Sequence, residues 1–179
     1  MARNHTHELA VESMYAALRR LMDQKPFREI SITELVEEAR VSRMAFYRNF
    51  QNKGDILLDH MEKMIQRYQQ KCHGIENLTE RELWIGFFRE MKEDHILEYL
   101  RKAALVDPTL DLQKRCAEEL YRSVLRWDME DPKNRMLLYQ RMGSMLGLQL
   151  YITDYPNEAD EQQLADQILA IIAVDKPET

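Results

Sequence analysis

Residues 31–50 read SITELVEEARVSRMAFYRNF. Ser31 with Glu34 three positions on has the form of a capping box, in which each side chain takes an orphan amide at the start of a helix. The helix it opens is short, Ile32 to about Ala39. Arg40-Val41 breaks it, and Ser42 caps a further helix that begins at Arg43. Two helices of roughly seven residues joined by a turn of three or four have helix-turn-helix spacing. Leu35, Val36, Ala39, Val41 and Phe46 occupy the inward positions, as the core of a small three-helix unit requires, and Ala39 is small where the two helices cross. The outward positions of the second helix are Arg43, Met44, Tyr47 and Arg48, residue types suited to phosphates and base edges rather than to a core.

The charge distribution agrees with an interface at this place. The chain carries a net charge of −6 over 179 residues, which argues against coating nucleic acid through bulk charge. Residues 1–55 sum to +1 and the remainder to −7, and between Arg40 and Lys53 there are four cations and no acid. A local basic strip on an acidic body binds phosphate where the strip points and repels it elsewhere.

Outward from the motif, the first helix is expected from about Thr6 to Gln24, ended by Lys25-Pro26, with a stripe of Leu9, Ser13, Ala16, Ala17, Arg20 and Leu21 widened by Met14, Leu18 and Met22. Asn52-Lys53-Gly54-Asp55 opens a long helix to about His73. Thr79 and Glu82 form another capping box, and a further helix covers about 95–105. Asp107-Pro108 and Asp131-Pro132 each set a capping acid before a proline, opening helices near 110–127 and 132–154. Pro156-Asn157 is expected to open the last, to about Val174. Gly and Pro are scarce, at five each, and no period-two segment is long enough for a strand. The expected fold is therefore all-α: about nine helices, with a three-helix helix-turn-helix domain followed by a C-terminal helical bundle.

Residues 30–58 resemble the DNA-binding segment of the TetR family of transcription regulators, whose pattern runs hydroxyl cap, acid, short helix, turn, Val-Ser, an aromatic-Tyr pair and a closing Phe. Here those elements are Ser31, Glu34, Val41-Ser42, Phe46-Tyr47 and Phe50, followed by Lys53 and Leu57-Leu58. The resemblance is specific across about 50 residues; over 75–179 it extends to helix count and order. It implies a DNA-binding domain at 1–52 and a ligand-binding and dimerisation domain at 53–179. It also implies phosphate contacts from the Ser42 hydroxyl, Tyr47 and Lys53, the last at the start of a helix whose free amides favour anions. Arg43 is the candidate for bidentate guanine readout and Met44 for contact with a thymine methyl, while Arg48 fits either role. Phe46 and Phe50 read as core aromatics. Two departures from the family pattern stand out. Arg40 occupies a turn position where glycine is common, and Met44-Ala45 replaces a small residue followed by Thr.

TetR-like proteins dimerise through their last two helices and often enclose a ligand cavity. Met136 to Tyr151 is too apolar for one-sided burial, and Gly143-x-x-x-Gly147 leaves a groove for a second helix. The expected interface comprises Gly143, Gly147, Leu148, Tyr151, Leu164, Ile168 and Ile172, packed as a four-helix bundle across a two-fold axis. An intrachain core is the alternative. The candidates for a pocket taking a hydrophobic or aromatic small molecule are Tyr68, Trp84, Phe88, Met91, Tyr99, Tyr121, Arg141 and Met142, a set that would equally serve as plain core.

No segment approaches the roughly 18–20 apolar residues of a membrane span, and MARNHTHELA lacks the apolar run of a signal peptide. Cys72 and Cys116, without a CxxC partner, read as reduced thiols of a cytoplasmic protein. His5-Thr6-His7 and Cys72-His73 are weak as metal ligands, and no cofactor motif or catalytic constellation occurs, so an enzyme is not expected. The function expected is a sequence-specific regulator that binds operator DNA, a dimeric repressor released by a small-molecule effector. The competing expectation is a co-regulator or activator of the same fold that works through protein partners.

Overall fold

In the computed structural model, residues 2–155, 157, 158 and 160–170 are described, with side chains from residue 7 onward. Among the described residues there are nine α-helices and no strand: α1 Ala2–Met22, α2 Ile32–Glu38, α3 Arg43–Asn49, α4 Gly54–His73, α5 Glu80–Asp94, α6 Ile96–Lys102, α7 Val106–Ser123, α8 Pro132–Asp154 and α9 Glu161–Ala170. The chain divides into two compact units, residues 1–63 with 98–109, and residues 64–97 with 110–179. The division falls inside α4 rather than ahead of it, because its first turns bury Ile56, Leu57 and Met61 while Met64 and Ile65 belong to the second unit.

Local chemistry sets most helix starts. The Ser31 hydroxyl accepts from the Glu34 amide at 3.1 Å and Ser42 from the Ala45 amide at 3.0 Å. Thr79 and Glu82 close both halves of their box, and Asp131 caps α8 ahead of Pro132 at its first position. At Ser31 the Glu34 carboxylate is shared, because Lys25 donates to it at 2.6 Å beside the Ser31 backbone. Asp160, not Pro156, opens the last helix: its carboxylate accepts from the Gln162 and Gln163 amides at 3.0 and 2.9 Å. Pro156, Ile172 and the expected extension to Val174 lie outside the described residues, as do the side chains of His5 and Thr6.

In the first unit α1, α2 and α3 pack on one another around Leu18, Leu35 and Phe46, which are fully buried. The inward face of α1 is rotated from the expected stripe. Val11, Met14, Tyr15, Leu18, Leu21 and Met22 are buried, whereas Leu9, Ala16 and Arg20 face solvent. Polar Ser13 and Arg20 made the expected row poor, and the row that includes Tyr15 is the more apolar one.

In the second unit α9 lies against α5 and α8, burying Leu164, Ala165 and Ile168. Leu164 and Ile168 were expected at a dimer interface; they are instead interior to the chain, at 4% and 0% exposure, because α9 needs its one apolar stripe to dock on α5. Helix α8 differs from every other. Leu138, Arg141, Met145, Gln149 and Ile152 are buried on one side, and Met136, Tyr139, Gly143, Gly147, Leu150 and Tyr151 form a stripe on the opposite side that is exposed.

Candidate nucleic-acid interface

Helix α3 is anchored by Phe46 and Phe50 and presents its other side to solvent. Phe46 is fully buried, with Tyr47 edge-on at 5.1 Å and Phe50 at 6.1 Å. The helical period then turns Arg43, Met44, Tyr47 and Arg48 outward, with Met44 at 71% and Tyr47 at 51% exposure. A methionine held that far into water on a well-packed unit has no folding role.

The cations of this unit fall into two groups. On the α1–α2 side they are neutralised: Arg20 pairs with Glu38 at 2.7 Å and Lys25 with Glu34 at 2.5 Å, which holds the Glu34 carboxyl below its ordinary range. Among the described residues no carboxylate pairs with Arg40, Arg43 or Arg48. The turn and α3 thus carry three arginines without a carboxylate partner among the described residues.

Lys53 has partners within its own unit. Its ammonium donates to the carbonyls of Phe27 and Ile30, both at 2.5 Å, and lies 4.5 Å from the Phe27 ring centroid. Desolvation, with Lys25 nearby, pushes its pKa below the usual lysine value. Two of its three donors close the 27–30 turn, which leaves one for any other partner.

The turn between the helices also departs from the simplest pattern. Arg40 has φ 55°, in the left-handed region, while its amide donates to Glu37 O at 3.1 Å and the Val41 amide to Val36 O at 3.0 Å. This is a Schellman termination with an arginine where glycine is easiest. It ends α2 and leaves Ser42 extended, at φ −80° and ψ 153°, to start α3.

The residues expected to line a pocket are dispersed. Trp84 and Tyr121 do line a cavity of about 30 Å³ within the second unit, beside Ile65, Phe87, Gln113 and Met145. Phe88 and Met91 are plain core, and Met142 is half-buried on α8 away from the cavity. Tyr68 is fixed by its hydroxyl on Leu83 O at 2.5 Å, where Gly86 leaves room for it. Tyr99 belongs to the first unit, its hydroxyl donating to Asp23 at 3.1 Å and its ring under Arg19 at 5.0 Å. Arg141 is the centre of a buried ion pair. Its guanidinium donates to both oxygens of Glu80, at 2.8 and 3.2 Å, and to Ile168 O at 2.8 Å. Tyr121 donates to Glu80 at 2.6 Å and accepts from Trp84 Nε1 at 3.1 Å; burial, then Glu80, raise its pKa far above the phenol range. Gln113 was missed, although its register with Cys116, Ala117 and Leu120 on α7 marks it as a polar residue in an apolar stripe.

Two short capped helices, a buried aromatic anchor and an exposed face of unpaired cations define a helix-turn-helix DNA-binding protein. Residues 15–59 match the model of the bacterial regulatory proteins of the tetR family. The chain thus carries the DNA-binding domain of the tetR-family transcription regulators. No curated protein and no solved structure matches it. Among the described residues no helix is long and apolar enough to cross a membrane, and no three His, Cys, Asp or Glu side chains converge as a metal site would need.

Proposed function

We propose that this regulator is a homodimeric repressor whose hold on operator DNA is released by a small-molecule effector. The observation that carries the DNA side is the set of three arginines on the turn and α3 without a carboxylate partner among the described residues. Ser42 and Tyr47 then contact phosphate and Arg43 reads a base edge, with Met44 beside it and Arg48 on either. Lys53 is left out of this set; it braces the turn.

The dimer rests on the exposed stripe of α8. Apolar side chains on both sides of one helix need two partners, one inside the chain and one outside it. A second copy meets that need along a two-fold axis, where Gly143 and Gly147 let the backbones approach. Two reading heads set roughly 34–36 Å apart enter successive major grooves. An effector that prefers another spacing lowers DNA affinity, and DNA lowers effector affinity by the same factor. Cys72 and Cys116 form no disulfide, in keeping with a cytoplasmic location.

The decisive experiment joins selection from random duplexes to sedimentation of the wild type and of Gly147→Arg. A Cβ at Gly147 meets nothing within 4 Å, so the variant keeps its fold. It is expected to sediment as a monomer and to lose tight binding to the palindromic site the wild type selects, because one head contacts a half-site. A wild type that is a stable monomer at micromolar concentration sinks the dimer and the paired half-sites with it.

A further inference from the structure

We infer that the cavity of the second unit is built for a neutral, flat, single-ring molecule that carries a donor and an acceptor side by side on one edge, as in a lactam or a carboxamide. The inference rests on the effector reading above and gives it a chemical class. Gln113 is 2% exposed, and neither Nε2 nor Oε1 of its amide has a hydrogen-bond partner. Buried amides are nearly always satisfied, and an orphaned pair forfeits the hydrogen bonds it had in water. A leucine or methionine would fill the same volume without that cost, so the amide is not explained by packing.

The rest of the wall narrows what the amide can meet. Trp84 and Tyr121 also line this cavity, but Trp84 Nε1 and the Tyr121 hydroxyl are engaged with each other and with Glu80. Gln113 is therefore the lining residue with hydrogen bonds to offer, although its amide is covered by the wall and meets a ligand only once the wall yields. It offers one donor and one acceptor in a plane, and the complementary edge pairs a carbonyl with Nε2 and an N–H with Oε1. No charged side chain lines the cavity, so an ionised ligand would leave water without a counter-charge. Trp84, Phe87 and Tyr121 supply faces and edges for a flat ring.

Size sets the upper limit. A cavity of about 30 Å³ holds a water or two, against roughly 150 Å³ for an apolar cavity that admits benzene. Entry of one ring requires the wall to yield, and Met145, unbranched and adaptable, is the lining residue best able to move. Cys116 and Ala117 are the half-exposed residues of the lining.

Equilibrium dialysis of the full chain against 2-pyridone, toluene and benzoate tests this. Wild type should bind 2-pyridone at least tenfold more tightly than toluene, with benzoate weakest. Gln113→Leu should reverse that order, losing tenfold or more for 2-pyridone and gaining toluene. Gln113→Met provides the same comparison if the branched side chain disturbs α7. Failure of wild type to bind 2-pyridone, or an unchanged order in both variants, overturns the inference and means that water satisfies the amide. Operator binding measured with and without 2-pyridone separates the two readings. Binding that leaves operator affinity unmoved upholds the ligand class and removes the effector role. An operator response to a charged or purely apolar compound, with no 2-pyridone binding, upholds the effector role and overturns the class.

Discussion

The two units of this chain place their polar chemistry on opposite sides of their surfaces. The first keeps an apolar interior around Leu18, Leu35 and Phe46 and sets Arg43, Tyr47 and Arg48 outside. The second buries an ion pair, Arg141 with Glu80, and two glutamines, Gln113 and Gln149, with amide atoms that lack partners. A surface built to meet a polyanion can be assembled from cheap, exposed cations over a conventional core. An interior built to meet a small molecule has to carry polar groups where they are costly. The stabilities of the two units should accordingly respond to different substitutions.

The largest expected effect is at Glu80. Removing one partner of a buried pair leaves the other charged and unpaired, a loss of about 3–5 kcal/mol. Arg141 is 5% exposed and retains only Ile168 O, so Glu80→Ala should fall in that range. The matching test in the first unit, Arg20→Ala, breaks a pair whose side chains are 53% and 41% exposed and should cost about 1 kcal/mol or less. Both tryptophans, Trp84 and Trp127, lie in the second unit, so urea unfolding followed by tryptophan fluorescence reads Glu80→Ala, and the same titration followed by far-ultraviolet circular dichroism, which reports helix in both units, reads Arg20→Ala. Equal losses for the two variants would break the comparison.

The next effect, about 2 kcal/mol, is at Lys53. Hydrogen bonds from a charged donor contribute about 1.5–3 kcal/mol, and Lys53→Met removes two of them from the 27–30 turn. The loss should appear in stability measured by far-ultraviolet circular dichroism, while the salt dependence of operator binding keeps its slope. A slope shallower by about one would return the ammonium to the list of phosphate contacts.

What could be read from the sequence follows the range of the interactions. Ser31, Ser42, Thr79 and Asp131 were legible as caps because each bonds an amide two or three residues away. The helix-turn-helix was legible because its core spacing is local. Lys53 was not, since its partners lie 23 and 26 residues back, and the Glu80–Arg141 pair spans 61 residues. The stripes of α8 and α9 were seen as apolar, but periodicity does not say which protein covers a stripe. Helix α9 turned inward to α5, and α8 kept one face outside. The start of α9 was misplaced because Pro156 and Asp160 both carry start signals and only the three-dimensional path chooses between them.

Within the reading head, Arg43→Ala sharpens the contrast between recognition and folding. It should cost about 1–3 kcal/mol of operator affinity and relax discrimination at one base pair per half-site. Stability should stay within about 0.5 kcal/mol, since the side chain is exposed and unpaired. Competition assays on single-base variants of the selected operator separate the outcomes. A uniform loss on every sequence would make Arg43 a backbone contact and move readout to another position.

The smallest effect concerns the turn itself, where two terminations of the same geometry carry different side chains. Arg40 and Ala104 both have φ 55°. Both sit two places beyond a helix end, Glu38 and Lys102, with amides donating to Glu37 O at 3.1 Å and Arg101 O at 2.9 Å. A Cβ in the left-handed region costs about 1–2 kcal/mol, while glycine loses about 0.5–1 kcal/mol through the freedom it adds to the unfolded chain. The net gain on replacing either residue with glycine should be about 0.5 kcal/mol. Arg40 also lies at the C-terminal end of α2, where a cation gains a few tenths of a kcal/mol from the helix dipole. Arg40→Gly should therefore stabilise slightly less than Ala104→Gly. Their effects on DNA should diverge more clearly. Ala104→Gly alters no charge, whereas Arg40→Gly removes an unpaired cation beside α3 and should flatten the salt dependence of operator binding by up to about 0.9 in log–log slope. A stability gain at Ala104 with a loss at Arg40 would mean that the arginine side chain holds the turn. In that case the departure from glycine is a folding device and not a contact with DNA.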